Sequence, residues 1–168
     1  MYTTIDEFAK DWEHESKATQ KLLDQLTDAS LSQEIVPNHR TLGRIAWHIT
    51  TTIPEMMNQV GAGITKLDKE APLPKSADTI KHAYADVSKE LSDNIKKNWN
   101  DDTLKIVDTL YGSEKWEKGR TLRILVIHQA HHRGQLTVLM RQAGLKVPGV
   151  YGPSFEEWTT YGMNPPSI

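Results

Sequence analysis

Seven histidines and no cysteine occur in this 168-residue chain, so soft thiolate chemistry cannot come from the protein and any metal chemistry starts with imidazoles. Three of the histidines fall in one run, HQAHH, at positions 128, 131 and 132. The surrounding stretch, Thr121 to Gly144, has the spacing of a long helix. At ~3.6 residues per turn, His128 and His132 stand one turn apart on the same side and can converge on one point, whereas His131 points well to one side. Thr121, Leu125, Gln135 and Leu139 share the sector of the pair, so two imidazoles lie in the middle of a mostly apolar face. Two neutral imidazoles buried side by side must each find a hydrogen-bond partner, and one divalent cation satisfies an acceptor nitrogen on both.

Two histidines hold a metal weakly, and the third ligand must come from elsewhere. Position 129 is Gln, so the HExxH pattern with its built-in glutamate base is missing, as is any GxSxG nucleophile turn. The remaining candidates are His14, His39, His48 and His82. His48 stands out because it lies within a second long apolar-periodic segment, Leu42 to Val60. It sits about 120° from the centre of that segment's stripe, a boundary position that suits a residue lining a cleft between helices.

Four amphipathic segments must position these side chains. The first runs from Thr4 to about Leu26, capped at Thr3 or Thr4, with Ile5, Phe8, Trp12, Leu22, Leu23 and Leu26 as its stripe. Glu15, Ser16 and Thr19 interrupt that stripe, which is read as crossing a solvated gap, with Glu15 lining a pocket as the other reading. The second buries Leu42, Ile45, Ala46, Ile49, Ile53, Met56, Met57 and Val60, and Pro54 removes the partner of the Thr50 carbonyl. The third spans Ala77 to Trp99 behind Ser76 as cap, with Ile80, Tyr84, Val87, Leu91 and Ile95 inside. Residues 104–120 read either as a small hairpin turning near Gly112 or as an extended loop. Gly144 closes the fourth helix in the left-handed conformation, and Gly134 inside it predicts close approach of another helix. Ser154 and Glu157 have the spacing of a capping box for a short last helix.

The balance of 20 Lys+Arg against 22 Asp+Glu, net −2 with scattered basic residues, excludes a nucleic-acid footprint. No apolar run approaches the ~20 residues of a membrane span, and the acidic start lacks the apolar region of a signal peptide, so the expected location is cytoplasmic with no membrane partner. The length suits a single domain over 1–168. The expected fold is all-α, a four-helix bundle, the architecture that most readily builds metal sites from facing helices.

One histidine in the second helix, followed by HQAHHRGQLTVLMRQAG in the fourth and KVPGVYGPS near the end, resembles the DinB/YfiT family of metal-dependent enzymes. The similarity extends over nearly the whole chain in element order. It implies a site for one divalent metal ion, zinc or nickel, on His48, His128 and His132, in a bundle that often forms homodimers. Several relatives are thiol S-transferases using bacillithiol, mycothiol or glutathione, or isomerases that need such a thiol.

Three neutral imidazoles leave coordination positions open, the arrangement of a catalytic site. The expected reaction is thiol transfer, with a small-molecule thiol and an electrophile as partners. Metal-dependent hydrolysis and a non-catalytic metal-binding dimer are the alternatives. No residue is assigned as general acid or base, although Glu15 or Glu55 could serve as a base.

Overall fold

In the computed structural model, which describes residues 1–167, four long helices carry the chain. They are α1 (Ile5–Leu23), α2 (Leu42–Met57), α3 (Ala77–Asn98) and α4 (Lys118–Gln142). A two-stranded antiparallel hairpin, β1 (Val107–Leu110) and β2 (Glu114–Glu117), precedes α4. Short 3-10 turns occupy Asp28–Ser32, Asn58–Val60, Thr103–Lys105 and Phe155–Tyr161. The fold is the expected bundle, with the expected hairpin and a short C-terminal helical segment. Among the described residues no helix is long and apolar enough to cross a membrane.

Each helix packs against two others: α1 on α3 and α4, α2 on α3 and α4. The order around the bundle is therefore α1, α3, α2, α4, and the chain crosses a diagonal between α1 and α2 and again between α3 and α4. This arrangement makes neighbours of α2 and α4, the helices that bear His48 and the His128/His132 pair.

Local signals explain the boundaries. Thr4 caps α1 through a box in which its side chain accepts from Glu7 N–H and the Glu7 carboxylate accepts from Thr4 N–H. The α-helix ends at Leu23, short of the expected Leu26, and a second box made by Thr27 and Ser30 starts the turn that follows. Helix α2 continues through Pro54 and tightens to 3-10 geometry at Asn58–Val60. Ser76 occupies the cap position of α3, but its side chain makes no capping bond. Asp28 supplies the acceptor from a distant loop, taking Ala77 N–H at 2.7 Å. Gly144, at φ 73°, closes α4 as expected, with Leu145 N–H donated to Met140 O at 2.9 Å.

The core lies where the stripes meet. The named apolar positions of α2 and α3 are all buried, together with Phe8, Trp12, Leu122, Leu125 and Leu136. Burying side chains of this size stabilises the fold by about 1.5–3 kcal/mol each. Trp12 also donates its indole N–H to Ser88 O across the α1–α3 seam at 3.0 Å.

Two expectations are corrected. Glu15 and Thr19 do not cross a solvated gap: they are buried at 9% and 0% exposure. The α1 stripe turns polar there because it faces polar residues of α4. Gly134 is not a point of close helix approach either, since a Cβ placed on it meets nothing within 4 Å. The close approach lies at Gly119, where a Cβ would come within 2.3 Å of Tyr2 O.

Candidate metal centre

The bundle brings His48, His128 and His132 into one cluster between α2 and α4. His128 Nε2 stands 3.2 Å from His48 Nε2 and 3.1 Å from His132 Nε2. Ligand nitrogens ~2.0–2.1 Å from a tetrahedral cation are about 3.3 Å from one another. Those two separations match what a shared cation imposes, and all three ligand atoms lie within 4.8 Å of one another. His132 is buried, and the other two are half-buried at the mouth of the seam.

The protonation states suit ligation. Burial, with Arg40 as the next cause, lowers the pKa of His48 to about 4. Burial and the neighbouring His132 lower that of His128 to about 4, and burial lowers that of His132. All three imidazoles are thus neutral near pH 7, with a lone pair to offer. His132 Nδ1 lies 2.7 Å from Gln135 Oε1, an atom that can only accept. The proton of His132 therefore sits on Nδ1, and its Nε2 carries the lone pair that faces the other two rings. This is the outer hydrogen bond that orients histidine ligands in metal sites. Among the described residues no group fixes His128 in the same way, because its buried Nδ1 has no partner there.

The other histidines stay outside. His131 is exposed, with Nε2 3.2 Å from Gln135 Nε2. His39 and His82 are exposed and pair with the carbonyls of Pro37 and Asp78. His14 lies beside the ring of Tyr151, 6.3 Å between centroids.

Below the triad runs a buried polar network that sequence patterning did not anticipate. Arg133, next to His132 in α4, donates to Glu15 O and Thr19 Oγ1, both at 2.9 Å, and forms an ion pair with the Glu15 carboxylate. Tyr151 donates to the same carboxylate at 2.6 Å, which ties the segment after α4 to the bundle. Gln129 takes a hydrogen bond from Tyr84 OH at 3.1 Å and donates to Ile49 O at 2.9 Å. The available signal was the pairing of polar positions within two apolar stripes, Glu15 and Thr19 on α1 with Gln129 and Arg133 on α4.

Both carboxylates considered as bases are engaged elsewhere. Glu15 is held by Arg133 and Tyr151. Glu55 accepts from Tyr111 OH and Gln59 Nε2, each at 3.3 Å, and lines a separate cavity of about 510 Å³ with Pro54, Ile64 and Lys69. Burial raises the pKa of Glu55.

A helical bundle whose adjacent helices converge three histidines on one point offers a cluster that could hold a metal ion, and comparison with known proteins gives the family to which such a bundle belongs. The profile of the DinB family matches residues 1–166, and the chain belongs to that family. It is 44% identical over 168 residues, the full length of both chains, to the uncharacterized protein YrdA of Bacillus subtilis. It is also similar to the crystal structure of a DinB-like protein from Bacillus cereus ATCC 10987, at 46% identity and a TM-score of 0.86. That match covers 90% of this chain and 100% of the other. A DinB-like protein of Bacillus subtilis, YjoA, shares the fold at 14% identity, with a TM-score of 0.69 over 88% of this chain and 99% of its own.

Proposed function

We propose that the protein is a metal-dependent thiol S-transferase whose zinc or nickel ion is held by His48, His128 and His132. The observation that carries this reading is the convergence of three neutral imidazoles at the mouth of the α2–α4 seam, in a chain with no cysteine. A divalent cation there would supply the Lewis acidity that favours thiolate over thiol at neutral pH.

The chain's own groups fit the rest of the reaction. Gln135 holds the His132 ring by its Nδ1 proton. Arg40 adds positive charge near the triad, which favours an anionic sulfur over a neutral one. In the transfer, a sulfur lone pair of the small-molecule thiol forms the new carbon–sulfur bond. The leaving group departs with its bonding pair, and the thiol proton passes to solvent. Hydrolysis is the weaker reading, because it gains most from a free general base and both Glu15 and Glu55 are already engaged.

The test compares chelated and metal-reconstituted protein, using bacillithiol, glutathione, cysteine and coenzyme A against a chloronitrobenzene. Ester and amide substrates are assayed separately without thiol. The expected result is metal-dependent conjugation that is lost in His128→Ala. Thiol-independent ester or amide cleavage, with no conjugation above the uncatalysed rate, overturns the reading in favour of a hydrolase. Binding of one equivalent of metal with neither activity leaves a non-catalytic metal protein.

The same reading includes a cytoplasmic location and a homodimer. Ile127 and Val138 are 52% and 50% exposed on the outer side of α4, and they flank Gly134 at helical spacing. That open, partly apolar strip supports self-association. Sedimentation velocity should show a dimer that Val138→Glu weakens, and a monomer at every concentration removes this part.

A further inference from the structure

The seam that carries the triad continues into a groove of about 440 Å³ between α2, α4 and the loop before α2. Its size falls within the ~300–1,000 Å³ of small-molecule sites. Ile45 of α2 and Leu139 of α4 form its floor, while Ile35 and Val36 line it from the loop. Ile35 and Val36 are 60% and 45% exposed, two large aliphatic side chains held over an open groove. The polar lining comes from His39, Arg40 and Gln135. Gln135 is the side chain that holds His132, so the groove adjoins the triad through one shared residue.

The charge around this groove is one-sided. Among the described residues no acidic side chain lines it. Arg40, and Arg44 in the first turn of α2, take part in no ion pair among the described residues. Arg40 is close enough to depress the pKa of all three histidines of the triad. An apolar trough with an unpaired guanidinium beside it matches a ligand that is apolar along its length and anionic at one place. The planar guanidinium fork favours a carboxylate in particular.

We propose that the Ile35–Leu139 groove binds the electrophilic co-substrate, and that this co-substrate is an aliphatic or aryl-aliphatic carboxylate whose anionic group is held by Arg40. The assignment of the ligand as co-substrate rests on the reading of the triad as a reaction site. The groove itself does not depend on the metal.

The probes are octanoate, butyrate and octylammonium, titrated calorimetrically into the full chain as purified and after chelation of metal. Octanoate should bind saturably in both preparations and octylammonium in neither. Octanoate should exceed butyrate, since each buried methylene adds about fourfold. Arg40→Gln should weaken octanoate about tenfold, with Arg123→Gln as an unaffected control. In the double variant Ile35→Ser, Val36→Ser the preference for octanoate over butyrate should shrink. All of these positions are exposed, and a thermal melt verifies that each variant folds.

The proposal is overturned by absence of octanoate binding, by equal binding of octylammonium, or by indifference to Arg40→Gln. Octanoate binding seen only when metal is loaded also overturns it, because the carboxylate then sits on the triad. The chelated His128→Ala protein keeps the two readings apart. Octanoate binding retained there, with no metal uptake, upholds the groove whatever becomes of the transferase reading.

Discussion

Replacing Glu15 by Gln tests whether the polar network beneath the triad supports the fold. The Arg133 side chain is 3% exposed and that of Glu15 11%. Gln keeps the shape and one acceptor oxygen but leaves the Arg133 guanidinium without its counter-charge in a place water scarcely reaches. Three neutral acceptors, Glu15 O, Thr19 Oγ1 and the Tyr151 hydroxyl, remain, and they satisfy hydrogens without balancing the charge. Breaking a buried pair from one side costs about 3–5 kcal/mol. At ~2–4 °C per kcal/mol for a chain of this size, Tm should fall by roughly 6–20 °C. Lys17→Gln is the matched control, because the Lys17–Glu13 pair is 69% and 66% exposed and should cost less than about 1 kcal/mol. Adding Arg133→Met to Glu15→Gln removes the stranded charge, so the double variant should be more stable than the sum of the two single losses. Urea denaturation followed by circular dichroism measures the parent and all four variants. A loss below about 1 kcal/mol for Glu15→Gln, or strict additivity in the double variant, refutes the reasoning.

Gln135→Leu removes the acceptor for the His132 Nδ1 proton and should weaken metal binding by about 10–100-fold without abolishing it, as titration against a competing chelator will measure; unchanged affinity would show that Gln135 does not orient the ring. Metal-free protein should lose stability as pH falls from about 6.5 to about 4. In that window the unfolded histidines take up protons that folded His48 and His128, with pKa values of about 4, do not; an acid limb identical to that of a His48→Gln, His128→Gln variant in urea denaturation would contradict this. Gly119→Ala should destabilise by about 1–3 kcal/mol, because the new methyl group meets the Tyr2 carbonyl, whereas Gly134→Ala, facing open space, should be neutral or gain up to ~1 kcal/mol from helix propensity. Reversal of that order in thermal melts would mean that the packing of the N-terminal segment on α4 is wrongly assigned.

Much of this protein was determined by patterns that act within a few turns of chain. Apolar residues at three- and four-residue spacing specify the α2 and α3 stripes whatever they pack against, and the capping box at Thr4 closes locally, whereas at Ser154 only the Glu157 half forms, its carboxylate accepting from Ser154 N–H. The one-turn spacing of His128 and His132 likewise follows from helix geometry alone. His48 was legible as a cleft residue, because its angular offset from the α2 stripe depends only on its own helix.

Tertiary structure decided what those faces meet. The diagonal crossings set α2 beside α4, and only that adjacency brings the Nε2 atom of His48 to 3.2 Å from that of His128. A stripe that turns polar at Glu15 and Thr19 looks solvated from α1 alone, and becomes interior once Arg133 of α4 faces it. Gly134 and Gly119 lie in the same helix, yet only the fold puts the Tyr2 carbonyl against one and open space against the other. Periodicity reports that a side chain leaves a helix in a given direction. The charge, hydrogen bonds or empty space it meets there belong to residues more than a hundred positions away, as Glu15 and Arg133 are.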